Sequence, residues 1–144
     1  MSEHIAKIEW HKEGEFSHLG FNRIHEAEFY PNSRIKMAGA SNGEHADPEQ
    51  MLAASLASCH MQTFLALAAK KRLIITSYTD TATAILDQNS DGLFYVSKIT
   101  LAPNVTFSEE MNVTAKVIES MHEKSHKHCF VANSLKCDVD ILPR

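Results

Sequence analysis

The stretch from Asp47 to Arg72 constrains this chain most, because it stays apolar for nearly twenty residues between a strong start and a strong stop. Ala-Asp-Pro-Glu-Gln-Met-Leu (46–52) opens it. Asp47 is a favourable N-cap, Pro48 suits the first helical position, and Glu49 complements the positive end of the dipole. The spacing predicts a helix over about 48–71, with Leu52, Leu56, Cys59, Thr63 and Leu67 on one stripe. Lys70-Lys71-Arg72 closes it with cations at the negative end. Met51–Ala69 comes near the length of a membrane span. Ser55, Ser58, Cys59, His60, Gln62 and Thr63 interrupt it, however, and no second such run exists. The better reading is a long buried core helix. Being apolar on nearly every side, it is more than one small sheet can cover, so an intertwined homodimer that buries it is expected.

Strand patterns surround this helix. Ile5–Trp10 and Ile24–Phe29 roughly alternate, and Arg34–Met37 is a third short strand. Lys12–Asn22, holding Gly14 and Gly20, reads as a loop, and Ala38–Gly43 as a flexible one. Beyond the helix, Tyr78–Asp87 and Leu93–Ala102 are β-rich and flank Gln88-Asn89-Ser90-Asp91-Gly92, a hairpin signal. Ser108, followed by Glu109 and Glu110, predicts a second helix through about His126, with Val113, Val117 and Met121 as its apolar stripe. Leu135–Leu142 alternates again and closes a sheet. The order βββ-α-ββ-α-β is an α+β class, with strands packed around the long helix. One domain over residues 1–144 is expected.

Composition narrows the functional classes. With 44% hydrophobic and 22% charged residues the chain reads as soluble and globular. Its net charge of −4 with both signs interspersed points away from nucleic acid and from an anionic membrane. Three cysteines are too few, and odd in number, for an extracellular disulfide framework. Charges at Glu3, Lys7 and Glu9 argue against a signal peptide, so a cytoplasmic location is expected.

Three segments together resemble the OsmC/organic hydroperoxide resistance family of thiol peroxidases. They are Asp47-Pro48-Glu49-Gln50-Met51-Leu52, Ala54–Cys59 within the helix, and Cys129 followed by Asn133-Ser134-Leu135. The spacings of Glu49 to Cys59 and of Cys59 to Cys129 match the family's frame. Cys59-His60-Met61 and the His-rich run before Cys129 are similar to one branch with little assigned function. The resemblance implies an OsmC-like fold, a peroxidatic Cys59, a resolving Cys129, and an arginine held by Glu49. Arg23, in Phe21-Asn22-Arg23-Ile24-His25, is the favoured arginine, and Arg34 is the alternative. The family's pattern also implies organic hydroperoxides as substrates and a dithiol reductant of lipoyl type, with no cofactor and no metal.

The chemistry follows from the thiol. A free cysteine titrates near 8.5, so only about 3% is thiolate at neutral pH. An adjacent arginine stabilises the anion, and its fork can hold a carboxylate while facing sulfur. Glu49 stands ten residues before Cys59, about 15 Å along one helix, so Glu49 and its arginine are expected to serve the partner's thiol. Met51, Met61, Phe64 or Phe130 are expected to line an apolar pocket that favours organic peroxides.

Plainer readings compete at each position. Helices bury inert cysteines routinely, which applies to Cys59 and Cys129 alike. Glu49 can be a simple helix-start charge, and Arg23 a solvated residue. Cys137 alternates with charged residues on the last strand and reads as incidental. His122, His126, His128 and Cys129 have spacings compatible with metal ligands, but no complete ligand set accompanies them, and histidines facing helix-end carbonyls are the better reading. His60 reads as a packing residue. The functional alternatives are a redox switch that oxidises once and a small-ligand or acyl carrier on the same fold.

Overall fold

Three short strands form an antiparallel meander at the start of the chain, β1 (Lys7–Glu9), β2 (His25–Tyr30) and β3 (Ser33–Met37). The computed structural model describes residues 1–144 and resolves two compact units, Met1–Met51 and Leu52–Arg144. In the first unit, Asn32 takes φ +66° in the turn between β2 and β3, a conformation asparagine tolerates better than most residues. Side chains alternate across the meander, so Ala27 is buried while Glu26 and Glu28 sit opposite Lys36 and Arg34. Arg34 bonds both carboxylates, at 2.6 Å to Glu28 and 3.3 Å to Glu26. The helix start is a reciprocal capping box. Gln50 donates its N–H to Asp47 Oδ1 at 2.7 Å, and Asp47 donates its N–H to Gln50 Oε1 at 3.0 Å.

The long helix is α1 (Pro48–Lys70), close to the predicted bounds. Its phase differs from the expected stripe. The buried residues are Ala53, Leu56, His60, Phe64 and Ala68, so only Leu56 is shared. Cys59, Thr63 and Leu67 lie beside the stripe, half-buried. A helix apolar all round carries no periodic signal to fix its phase. Nor is the helix buried throughout, since only these five of its 23 residues are.

In the second unit, the β-rich stretch predicted as one strand is two, β4 (Ile75–Thr79) and β5 (Thr83–Gln88). β5 and β6 (Phe94–Leu101) form the predicted hairpin, with Gly92 at φ +79° in its turn. β7 (Asn104–Phe107), not foreseen, pairs with β4. α2 (Ala115–His128) begins later than predicted. Ser108, Glu109 and Glu110 enter a turn in which Met111 donates to the Ser108 carbonyl, and Thr114 is the N-cap, accepting from Val117 N–H at 3.3 Å. A 3₁₀ turn at Ala132–Ser134 leads to β8 (Asp138–Ile141), which pairs in parallel with β6.

Two clusters make the core of this unit. Ala53 and Leu56 of α1 pack with Ile99, Leu101 and Cys129, and Phe64 and Ala68 pack with Met121 of α2. Phe64 is fully buried, with its ring centroid 5.8 Å from Tyr78 and 4.4 Å from His122. Phe64→Ala is therefore expected to lower unfolding stability by about 3–5 kcal/mol, read from urea denaturation. A loss under about 1 kcal/mol would show that α1 is not organised around this ring.

Candidate active site

α1 and the end of α2 bring two thiols together. Cys59 is half-buried on α1, and Cys129 is the C-cap of α2, fully buried, with its N–H donating to the His126 carbonyl at 3.3 Å. Both are free thiols, and Cys59 packs against the apolar cluster that holds Cys129, near enough to raise the Cys129 thiol. Ala132 N–H also donates to Cys129 Sγ at 3.4 Å, so the 3₁₀ turn fixes the sulfur from the other side. Burial, and then the neighbouring Cys59, push the Cys129 thiol up to about 11. Cys129 therefore stays protonated at neutral pH, while the more accessible Cys59 is the sulfur a reagent meets first. Cys137 is half-buried against the same apolar cluster that Cys59 joins.

The two other expected site residues lie in the N-terminal unit. Glu49 is half-buried in the first turn of α1. Arg23 is exposed just before β2, and its guanidinium lies 4.1 Å from the Phe21 ring centroid. No ion pair involves either residue. Arg34, the alternative arginine, is held on the meander by Glu26 and Glu28, whereas Arg23 is uncommitted. Arg23 borders a cavity of about 600 Å³ together with Ile8, Trp10, Phe16, Phe21 and His25. Trp10, Phe16 and Phe21 form a ring triangle with centroids 5.8–6.4 Å apart. Trp10 donates its indole N–H to the Asn22 carbonyl at 2.7 Å. Of the residues expected to line an apolar pocket, Phe64 is sealed in the core and Phe130 is 84% exposed.

A histidine pair escaped the sequence reading. His60 of α1 and His122 of α2 stack with an interplanar angle of 8° and join His60 Nε2 to His122 Nδ1 at 3.0 Å. Both are buried, and burial pulls each down to about 4, with His122 and His126 adding repulsion at His60. Two signals pointed here, the histidine beside Cys59 and the His-rich end of α2. Nothing in the sequence joined them across 62 residues. His122 Nδ1 is thus engaged with His60, and no three His, Cys, Asp or Glu side chains converge as metal ligands.

Comparison with known proteins places these features. The family description "OsmC-like protein" matches residues 41–142. An OsmC-like protein of unknown function from Vibrio cholerae is 36% identical over all of both chains, with a TM-score of 0.93. The organic hydroperoxide resistance protein OsmC of Legionella pneumophila, also titled a predicted redox protein, is 18% identical. It covers 99% of this chain and 95% of its own, at a TM-score of 0.73. The organic hydroperoxide resistance protein OhrB of Bacillus subtilis is 18% identical, covering 97% and 98%, at 0.69. No curated protein matches the chain.

Proposed function

The chain belongs to the OsmC-like family, and on that basis we propose that it is a cysteine-based peroxidase that reduces organic hydroperoxides in oxidative stress defence. The packing of Cys59 against the buried cluster that holds Cys129 carries this reading. The Cys59 thiolate attacks the distal peroxide oxygen. The O–O bond breaks, Cys59 becomes a sulfenic acid, and the alkoxide leaves as alcohol after taking a proton. The Cys129 thiol then condenses with it, forming the disulfide and releasing water. A dithiol reductant, of lipoyl type, reopens the disulfide by exchange and is itself oxidised to a cyclic disulfide.

Arg23 and Glu49 complete the site in this reading. Glu49 orients the guanidinium, which stabilises the partner subunit's thiolate. The support for Arg23 over Arg34 is that Arg34 is already neutralised by two carboxylates. The homodimer is supported by α1, which leaves most of its apolar length incompletely covered, and by exposed Leu86, Leu93 and Phe94 of the β5–β6 hairpin. A cytoplasmic location, with its reducing thiol pool, suits the cycle.

Purified protein supplied with dihydrolipoamide is expected to consume cumene hydroperoxide faster than hydrogen peroxide, and Cys59→Ser to abolish both. A second reading is favoured by the full burial of Cys129, which hinders access by a reductant. The protein is then a redox switch that oxidises once. One stoichiometric oxidation without turnover would select that reading over the peroxidase. Peroxide consumption surviving in Cys59→Ser would defeat both.

A further inference from the structure

His60 and His122 are buried, titratable and unused by the chemistry above. They bridge the same two helices that carry the thiols. His60 follows Cys59 on α1, and His122 lies seven residues before Cys129 on α2, a little under two turns away. We propose that the His60–His122 hydrogen bond is an acid-sensitive clamp that positions Cys129 against Cys59. The bond needs one ring to donate and the other to accept, so it exists only while the pair is not doubly protonated.

The surroundings give a charged pair no ion-pair partner, although His122 Nε2 and Asp80 Oδ2 are both buried and unpartnered. Phe64 of α1 lies against the His122 ring, and Tyr78 of β4 lies against Phe64 with its hydroxyl buried and without a partner. His126, one turn beyond His122, adds a like charge when protonated. Asp80, following β4, uses one carboxylate oxygen to accept from Ala102 N–H at 2.8 Å. Neither histidine of the pair is ion-paired. Protonation therefore separates α1 from α2 rather than being absorbed. The two rings are positioning residues, since they act through the sulfurs they hold in place.

The role of Cys129 as resolving thiol rests on the peroxidase reading, but the clamp is measurable without peroxide. In a Cys137→Ser background Cys59 and Cys129 are the only thiols. Reaction with 4,4′-dithiodipyridine releases one thione when the mixed disulfide forms. A second is released when the other cysteine displaces it, and that second rate measures closure. The otherwise unsubstituted background is expected to lose closure rate more steeply between pH 5 and 4, where the two rings take up protons, than the roughly tenfold per pH unit that thiolate loss alone gives. His122→Asn keeps a hydrogen-bonding atom near the Nδ1 position without titrating there, and is expected to show only the tenfold slope. His122→Phe is expected to slow closure at least about tenfold at pH 7.5, the weight of one lost buried hydrogen bond, while leaving the first release unchanged. Equal slopes in the background and His122→Asn overturn the clamp, even if His122→Phe fails to fold. Intact closure behaviour without peroxide turnover defeats only the peroxidase reading.

Discussion

Cys129→Ser is expected to reduce one equivalent of organic hydroperoxide per subunit in a fast burst, a second as the sulfenic acid over-oxidises, and then stop. The first step needs only Cys59, which the substitution leaves in place. Without a thiol against it, the Cys59 sulfenic acid has no intramolecular partner, and excess peroxide carries it to sulfinic acid. Serine keeps an acceptor for the Ala132 N–H that now reaches Cys129 Sγ. The fold around the 3₁₀ turn is therefore expected to persist. Rapid-mixing kinetics give the burst, and intact mass gives the sulfinic product. Sustained turnover with dihydrolipoamide in Cys129→Ser would remove Cys129 from the cycle and make direct reduction of the sulfenic acid the route.

Acid is expected to destabilise the protein over an unusual window. An unfolded histidine titrates near 6.5. Burial holds His60 and His122 near 4, so the fold favours their neutral forms. Below pH 6.5 the unfolded chain binds protons that the folded chain refuses. Stability is therefore complete above pH 6.5 and is lost as pH falls toward 4. The slope approaches about 1.4 kcal/mol per pH unit for each ring. The Glu28 carboxyl, which burial raises but Arg34 and Lys7 together hold below the ordinary carboxylate value, contributes only at more acid pH. Urea midpoints measured at pH 7, 6 and 5 should fall steeply in the native sequence. They should fall much less in the double substitution His60→Phe with His122→Phe. Parallel slopes in the two proteins would mean that other groups govern acid unfolding.

The reach of the sequence can be judged element by element. α1 was legible because an N-cap aspartate, a proline and a terminal basic run bracket it, and each acts locally. Its buried face was not, because nearly every face is apolar. Packing against β6 and α2 selected the face carrying His60 and Phe64 over the one carrying Cys59 and Thr63. The start of α2 was misplaced for a different reason. Ser108 with Glu109 and Glu110 is a sound local signal, but β7 ends at Phe107 and the chain must turn before it can begin a helix. Thr114 then supplies the cap. The thiol pair was reached through family resemblance, and Cys59 packs against the cluster that holds Cys129. The histidine pair was not reached, since contact between residues so far apart is decided by tertiary structure alone. Arg23 and Arg34 look alike as letters. What separates them is that cross-strand register hands two carboxylates to one and none to the other.

The parallel pairing of β8 with β6 governs the order in which this architecture can assemble. β6 ends at Leu101 and β8 begins at Asp138, so that ladder waits for β7, α2 and the 3₁₀ turn to be laid down between them. The ion pair of Lys98 with Asp140 joins the same late ladder. Hairpins such as β5–β6 close over a few residues and are quick, whereas this pairing must first overcome the entropy of a long loop. Cys129 lies within that loop and Cys59 lies before it. A contact between residues so far apart in sequence carries the same entropic cost, so it is expected to form late. The two sulfurs would then come together only when the surrounding core exists to control what they react with.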